Sequence, residues 1–178
     1  DSLEQLSLQP RSKTTTQPGY IVASIASYRD KELGGTLTSL FKTAVHPERI
    51  RVGVCCQYHP SQDLQHFGAA LPAECGGRVR VMHVDWQQAR GPCFARYLIQ
   101  QRLWQGEEYY LQIDSHMRFD CGWDAFLLQE LQQCASSASG ATSSTAILTT
   151  YPPDFACQGA TKSQGKGKSK SKSEYRPT

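Results

Sequence analysis

Short apolar runs alternate along this chain with apolar stripes of helical spacing. Tyr20–Ala26 (YIVASIA) is a continuous apolar run, the pattern of a strand buried on both faces. Leu33, Leu37, Leu40, Phe41 and Ala44 then fall at i, i+4, i+7, i+8 and i+11, one face of an amphipathic helix. Gly34 and Gly35 weaken its first turn, and His46-Pro47 ends it. Ile50, Val52, Val54 and Cys56 alternate with Arg51, Gly53, Cys55 and Gln57, which predicts a second strand. Arg78–Trp86 (RVRVMHVDW) predicts a third. Pro92 suits the first turn of a helix, with Ala95, Leu98, Ile99 and Leu103 on its inner side. Tyr109–Ile113 (YYLQI) predicts a fourth strand. Behind Gly122, the residues Trp123, Leu127, Leu131 and Cys134 fall at helical spacing. Asp63–Ala70 is expected to form a short helix and Ser136–Ser144 a small-residue loop. Ala146–Thr150 is expected to form a fifth strand, ended by Pro152-Pro153.

This alternation predicts an α/β fold: a mostly parallel, Rossmann-like sheet with helices on both faces. If strands two and three lie to one side of strand one and strand four to the other, a switch point opens between strands one and four. Ser27–Asp30 and Asp114–His116 would then face each other across one crevice.

Composition divides the chain in three. Residues 1–19 are polar and read as a flexible arm. Residues 20–157 read as one globular domain with its own core. Residues 158–178 are rich in Lys, Ser and Gly and read as a disordered tail. The net charge of +3 belongs to that tail: residues 160–178 carry six Lys and Arg against Glu174, or +5, so the rest of the chain sums to −2. No aromatic ring interleaves with the lysines as a base-stacking surface needs, which argues against a nucleic-acid partner. No apolar run approaches the length of a membrane span, and Asp1–Gln17 holds no apolar signal segment. Seven cysteines without C-x-x-C spacing read as mostly free and buried, which favours a reducing compartment such as the cytoplasm. The Golgi is the alternative if an anchor precedes Asp1.

The candidate chemistry gathers at strand ends. Asp114-Ser115-His116 closes the fourth strand, and residues two apart can converge on one point there. A carboxylate oxygen with an imidazole nitrogen suits Mn²⁺ or Zn²⁺ better than Mg²⁺. Two protein ligands fall short of the four of a structural site but suffice for an ion that a diphosphate also holds. The bland alternative is a turn-capping Asp and an ordinary surface His. Gly91-Pro92 opens a helix whose first N–H groups can receive phosphate, with Arg90 beside it. Arg96, one turn in, could reach a diphosphate or clamp Asp114; otherwise these are a plain turn and a surface cation. Ser27, Tyr28 and Arg29 end the first strand with a hydroxyl, a ring and a cation. Neither G-x-G-x-x-G nor a P-loop is present.

Five blocks, VASIASYRD, RVGVCCQ, VDWQQARGPCFARYLIQ, YYLQIDSHMRF-x-x-GWD and LTTYPPDF, occur in this order over Tyr20–Phe155. Together they resemble the family of Skp1-type hydroxyproline and mucin-type polypeptide N-acetylglucosaminyltransferases. They are more distantly similar to the polypeptide N-acetylgalactosaminyltransferases, which also carry D-x-H. The resemblance implies the nucleotide-binding half of a GT-A fold, UDP-GlcNAc as donor, Mn²⁺ or another divalent metal, and a hydroxyproline, Thr or Ser hydroxyl of a protein as acceptor. By matching position, Asp114 and His116 would form a DXD-like motif holding the metal on the diphosphate. Ser27, Tyr28 and Arg29 would line the nucleotide pocket, Gly91 and Arg96 would lie along the UDP, and Asp85 would assist the nucleotide. No catalytic residue is assigned. Family members continue past D-x-H with an acceptor groove and a third metal ligand. The chain is therefore expected to be a fragment that is inactive by itself. The competing readings are a UDP-sugar-binding module without turnover and a basic-tailed nucleic-acid binder.

Overall fold

The computed structural model describes residues 17–63, 72–137 and 146–153. Seven main elements follow one another: β1 (Gln17–Tyr28), α1 (Leu33–Lys42), β2 (Ile50–Tyr58), β3 (Val79–Asp85), α2 (Pro92–Arg102), β4 (Glu107–Asp114) and α3 (Trp123–Ser137). The four strands pair in parallel in the order β3-β2-β1-β4. The switch point therefore lies between β1 and β4, as the sequence predicts, and both strands end at the same edge of the sheet. Their shared register, with Ile25 against Ile113 and Ala26 against Asp114, sets the two chain exits side by side.

The two faces of the sheet bury different helices. Ile21, Ala23 and Ile25 of β1 join Ile50, Val52, Val54 and Cys56 of β2 and Ile113 of β4 on one face. There they pack against Leu33, Leu37, Leu40 and Phe41 of α1 and Trp123 of α3. On the other face Cys55 and Val84 pack against Ala95, Leu98 and Ile99 of α2. Alternation of side chains along each strand produces this division. Gly53 belongs to the α2 face: a Cβ there would lie 2.8 Å from Ile99 Cγ2, so the missing side chain is what seats α2 close to β2. At the far end of β4, the fully buried Glu107 forms an ion pair with Arg80 of β3 and accepts the Gln105 N–H at 2.8 Å. A carboxylate so deep in the fold needs partners of this kind.

Three expectations are corrected. Ala146–Thr150 is not a strand: it pairs with no described strand, and Ile147 is 83% exposed. An apolar run without a neighbour cannot satisfy its backbone by pairing. The stripe on α3 is buried only at its start, since Trp123 is covered, Leu127 and Leu131 are half-buried and Cys134 is exposed. Among the described cysteines all are free, but Cys93, Cys121 and Cys134 are exposed while Cys55, Cys56 and Cys75 are buried. Burial pushes the thiols of Cys55 and Cys56 up to about 11 and about 12, which keeps both unreactive. No described helix is long and apolar enough to cross a membrane. The expectations for the arm, the short helix after Asp63, most of the small-residue loop and the tail lie outside the described residues.

Candidate active site

The chain leaving β4 is stitched to α1. Thr36 Oγ1 donates to the Ser115 carbonyl at 2.7 Å and accepts the Met117 N–H at 2.9 Å. Ser39 Oγ accepts the Phe119 N–H at 2.9 Å, and the Thr43 carbonyl accepts the Gly122 N–H at 2.7 Å. Positions 36, 39 and 43 share one face of the helix, so a single polar seam along α1 fixes the loop 115–122. Arg118 closes it with a 2.6 Å bond to Glu32. Gly35 makes room for that guanidinium, because a Cβ there would sit 2.6 Å from its nitrogen. Beyond Gly122 (φ +78°), the buried Asp124 accepts the Val45 and His46 N–H groups at 2.8 Å each, and Trp123 Nε1 donates to the Leu40 carbonyl at 3.0 Å. Orphan backbone groups in the turn after α1 are thereby satisfied.

On this frame the D-x-H side chains take separate partners. Asp114 Oδ1 accepts from Arg96 of α2 at 2.8 Å. His116 Nδ1 lies 2.9 Å from Asp30 Oδ2. That same oxygen accepts Ser115 Oγ at 2.5 Å, and Asp30 Oδ1 accepts the Glu32 N–H at 2.9 Å. Burial raises the Asp30 carboxyl, but the hydrogen bonds from Ser115, the Glu32 N–H and His116, with the charge of His116, outweigh it and hold the group below the ordinary carboxylate range. Asp30 is thus the hub of the crevice. Its partner Ser115 stands 85 positions away, and nothing in the local sequence pattern announces the pairing.

Among the described residues, no group of three or more His, Cys, Asp and Glu side chains could enclose a metal ion. An exposed carboxylate at Asp114 and an exposed imidazole at His116 are donor types that suit a divalent cation, which would need further ligands. The remaining positions would fall to a diphosphate and water. Arg96 Nε is buried without a hydrogen-bond partner among the described residues, so this guanidinium has donor capacity beyond Asp114. An open cleft of about 270 Å³ lies beside it, between α2 and β4, lined by Cys93, Arg96, Tyr97, Gln100, Tyr110 and Gln112.

The other expected site residues are spread along the same sheet edge. Gly91 (φ +85°) starts α2 with no side-chain cap and Pro92 next, leaving the first turn open to an anion. Ser27 is fully buried, and its hydroxyl has no partner among the described residues; Tyr28 is half exposed. Arg29 turns away from β4. Its backbone is left-handed (φ +50°), and its side chain bonds Asp63 at 2.9 and 3.2 Å and Gln62 at 2.8 Å. Hydrogen bonds from the His59 N–H and Arg29 hold the Asp63 carboxyl below its usual range. The Arg29 guanidinium also lies 5.3 Å from the centre of the Trp86 ring, which His59 meets at 5.6 Å. Asp85 caps the turn Trp86–Gln88 by accepting the Gln87 N–H at 2.8 Å. It stands on β3, three strand spacings or roughly 14 Å from β4. The structure therefore pairs Arg96 with Asp114 and His116 with Asp30 at the neighbouring exits of β4 and β1, and it assembles a second cluster around Arg29, Asp63 and Trp86, with Asp85 next to Trp86 in the chain. Thr36, Asp63 and Trp86 escape the sequence reading as site residues, and Asp30 enters it only as the end of the segment Ser27–Asp30 expected to face the D-x-H turn.

No curated protein matches the sequence. Among solved structures, the chain is similar to S. aureus TarS, residues 1–349, with a TM-score of 0.47 and 16% sequence identity. The similarity covers 66% of this chain and 32% of that one, so the chain spans about a third of the TarS structure's length. The model of the family Glycosyltransferase (GlcNAc) matches residues 20–69 and 62–169, which takes in all four strands and both clusters at the sheet edge. The chain belongs to this GlcNAc glycosyltransferase family.

Proposed function

We propose that this chain forms the donor site of a metal-dependent transferase that moves N-acetylglucosamine from UDP-GlcNAc to a hydroxyl of a protein, on hydroxyproline, Thr or Ser. The observation that supports it is the position of two pairs, Arg96–Asp114 and His116–Asp30, at the neighbouring exits of β4 and β1, on either side of the switch point. Such a crevice is where α/β sheets take ligands. Family membership supports the GlcNAc group, and the sequence resemblance supports the protein acceptor.

Arg96 and the uncapped start of α2 would bind the diphosphate oxygens. Asp114 and His116 would hold Mn²⁺ or a similar cation. A bound cation supplies charge neutralisation on the leaving diphosphate. The Arg96–Asp114 pair suits such a site: with a nucleotide and a cation bound, Arg96 would face phosphate and Asp114 would face the cation, so neither charge would be left without a partner. Ser27, Tyr28, Arg29 and Asp85 would border the nucleoside along the same edge.

Calorimetry with UDP, with and without Mn²⁺, tests the reading. Metal-dependent heat is expected, weakened in His116→Ala with the fold intact. Equal UDP affinity in that variant at fixed Mn²⁺ would refute the metal assignment. Metal-dependent UDP binding without transfer of radiolabelled sugar to threonine or hydroxyproline peptides is the result expected of these 178 residues by themselves; transfer at an ordinary enzymatic rate would put the acceptor site within them. Salt-sensitive RNA binding with no UDP heat would support a nucleic-acid binder.

A further inference from the structure

We infer that Asp30 is the positioning residue of the D-x-H motif: its carboxylate fixes His116 in the tautomer with hydrogen on Nδ1 and so presents the Nε2 lone pair to a divalent cation. The inference rests on the metal reading proposed above and goes further by assigning a role to a residue outside the motif.

Three observations carry it. First, Asp30 spends most of its acceptor capacity within the fold: Oδ2 takes both Ser115 Oγ at 2.5 Å and His116 Nδ1 at 2.9 Å, and Oδ1 takes the Glu32 N–H at 2.9 Å. Second, a carboxylate only accepts, so the hydrogen between Asp30 and the ring must sit on Nδ1. Neutral His116 then carries its lone pair on Nε2, the nitrogen turned from Asp30. Imidazole ligands to metals generally donate their other N–H to a carboxylate, carbonyl or water in this way. Third, Asp30 is itself immobilised. Its side chain is 19% exposed, against 61% for His116, and it bridges the end of β1, the start of α1 and the turn after β4. The exposed ligand thus takes its orientation from a mostly buried anchor. Among the described residues, the His116 ring meets the Asp30 carboxylate, whose Oδ2 it shares with the Ser115 hydroxyl.

The test begins without metal. ¹⁵N NMR of histidine-labelled chain at about pH 8, above the ordinary histidine range, reads which ring nitrogen is protonated. His116→Ala identifies the resonance among the five histidines. His116 is expected to carry hydrogen on Nδ1, and Asp30→Ala to shift it toward the Nε2–H form favoured by free imidazole. A wild-type ring protonated on Nε2 overturns the inference whatever the metal does, and needs no variant to fold. Mn²⁺ affinity is then read by electron paramagnetic resonance in the presence of UDP. Asp30→Ala and Asp30→Asn should each weaken it by about 10–100-fold. Ser115→Ala, which removes only the other donor to Oδ2, should weaken it less. Wild-type affinity in both Asp30 variants overturns the inference. Wild-type affinity in His116→Ala, with the tautomer as expected, instead overturns the metal reading beneath it.

Discussion

Replacing Thr36 with Val tests whether the seam between α1 and the turn after β4 holds the site in place. Val keeps the shape of Thr and removes the hydroxyl, which donates to the Ser115 carbonyl at 2.7 Å and accepts the Met117 N–H at 2.9 Å. Thr36 is fully buried and Ser115 nearly so. Each buried group left unpaired costs about 1–3 kcal/mol. Met117 is only half-buried and sits at the low end, so Thr36→Val should destabilise the chain by about 3 kcal/mol. Thr36→Ser keeps both hydrogen bonds and loses one methyl, which costs about 1 kcal/mol. The order is therefore the reverse of what apolar burial alone gives, since Val buries more hydrocarbon than Ser. Urea unfolding followed by tryptophan fluorescence measures both variants, with Trp123 packed beneath the same loop. A Thr36→Val chain as stable as Thr36→Ser, or more so, would refute the seam. The same pair reports on function: Thr36→Val should also weaken Mn²⁺-dependent UDP binding, and Thr36→Ser should not.

Arg96→Ala should leave stability within about 1 kcal/mol, because its Asp114 partner is exposed and such pairs contribute little. Its UDP affinity should fall by about tenfold or more, the loss of a charge-assisted hydrogen bond of about 1.5–3 kcal/mol; a calorimetric change below about threefold would make Arg96 a plain surface residue. Asp124→Asn keeps one acceptor and turns an NH₂ toward a backbone N–H that Asp124 now binds, so it should cost about 2 kcal/mol by urea unfolding while leaving UDP affinity unchanged. An effect under about 0.5 kcal/mol would remove Asp124 from the frame. Asp30 has a lowered pKa in the fold, so its contribution to stability is present above the unfolded value of 3.8 and is lost as pH falls below it. Thermal melts should show wild type losing its advantage over Asp30→Asn in that acid range, and curves that stay parallel would contradict the assignment.

The layers of this fold were legible because apolar periodicity encodes them directly. Leu33, Leu37, Leu40 and Phe41 form the buried stripe of α1, and Ala95, Leu98 and Ile99 that of α2, as their spacing predicts. The strand order follows from the rule for parallel crossovers once β4 is placed across β1 from β2. Ala146–Thr150 departs from the expected strand because a short apolar run looks the same whether or not a partner strand exists. The site was half legible. D-x-H stands at a strand end, where local pattern suffices. Asp30, Thr36 and Asp124 are polar residues whose meaning lies in partners 78 to 86 positions away, and no window of local sequence contains that pairing. Arg29 was legible as a cation at the edge, but its turn toward Asp63 and Trp86 depends on a left-handed backbone that a non-glycine residue does not advertise.

Asp114 answers to α2 through Arg96, while His116 answers to the start of α1 through Asp30. The two helices lie on opposite faces of the sheet. The motif is therefore tied to both layers at once, so a slip of one layer against the other would change the spacing between its two side chains. A ligand gripping both side chains would clamp the layers together, and anything that lifts one layer would loosen the grip from a distance. Gly53 is such a lever, because an added methyl would meet Ile99 at 2.8 Å and push α2 outward, carrying Arg96 with it and retuning the gap without touching a single residue of the site.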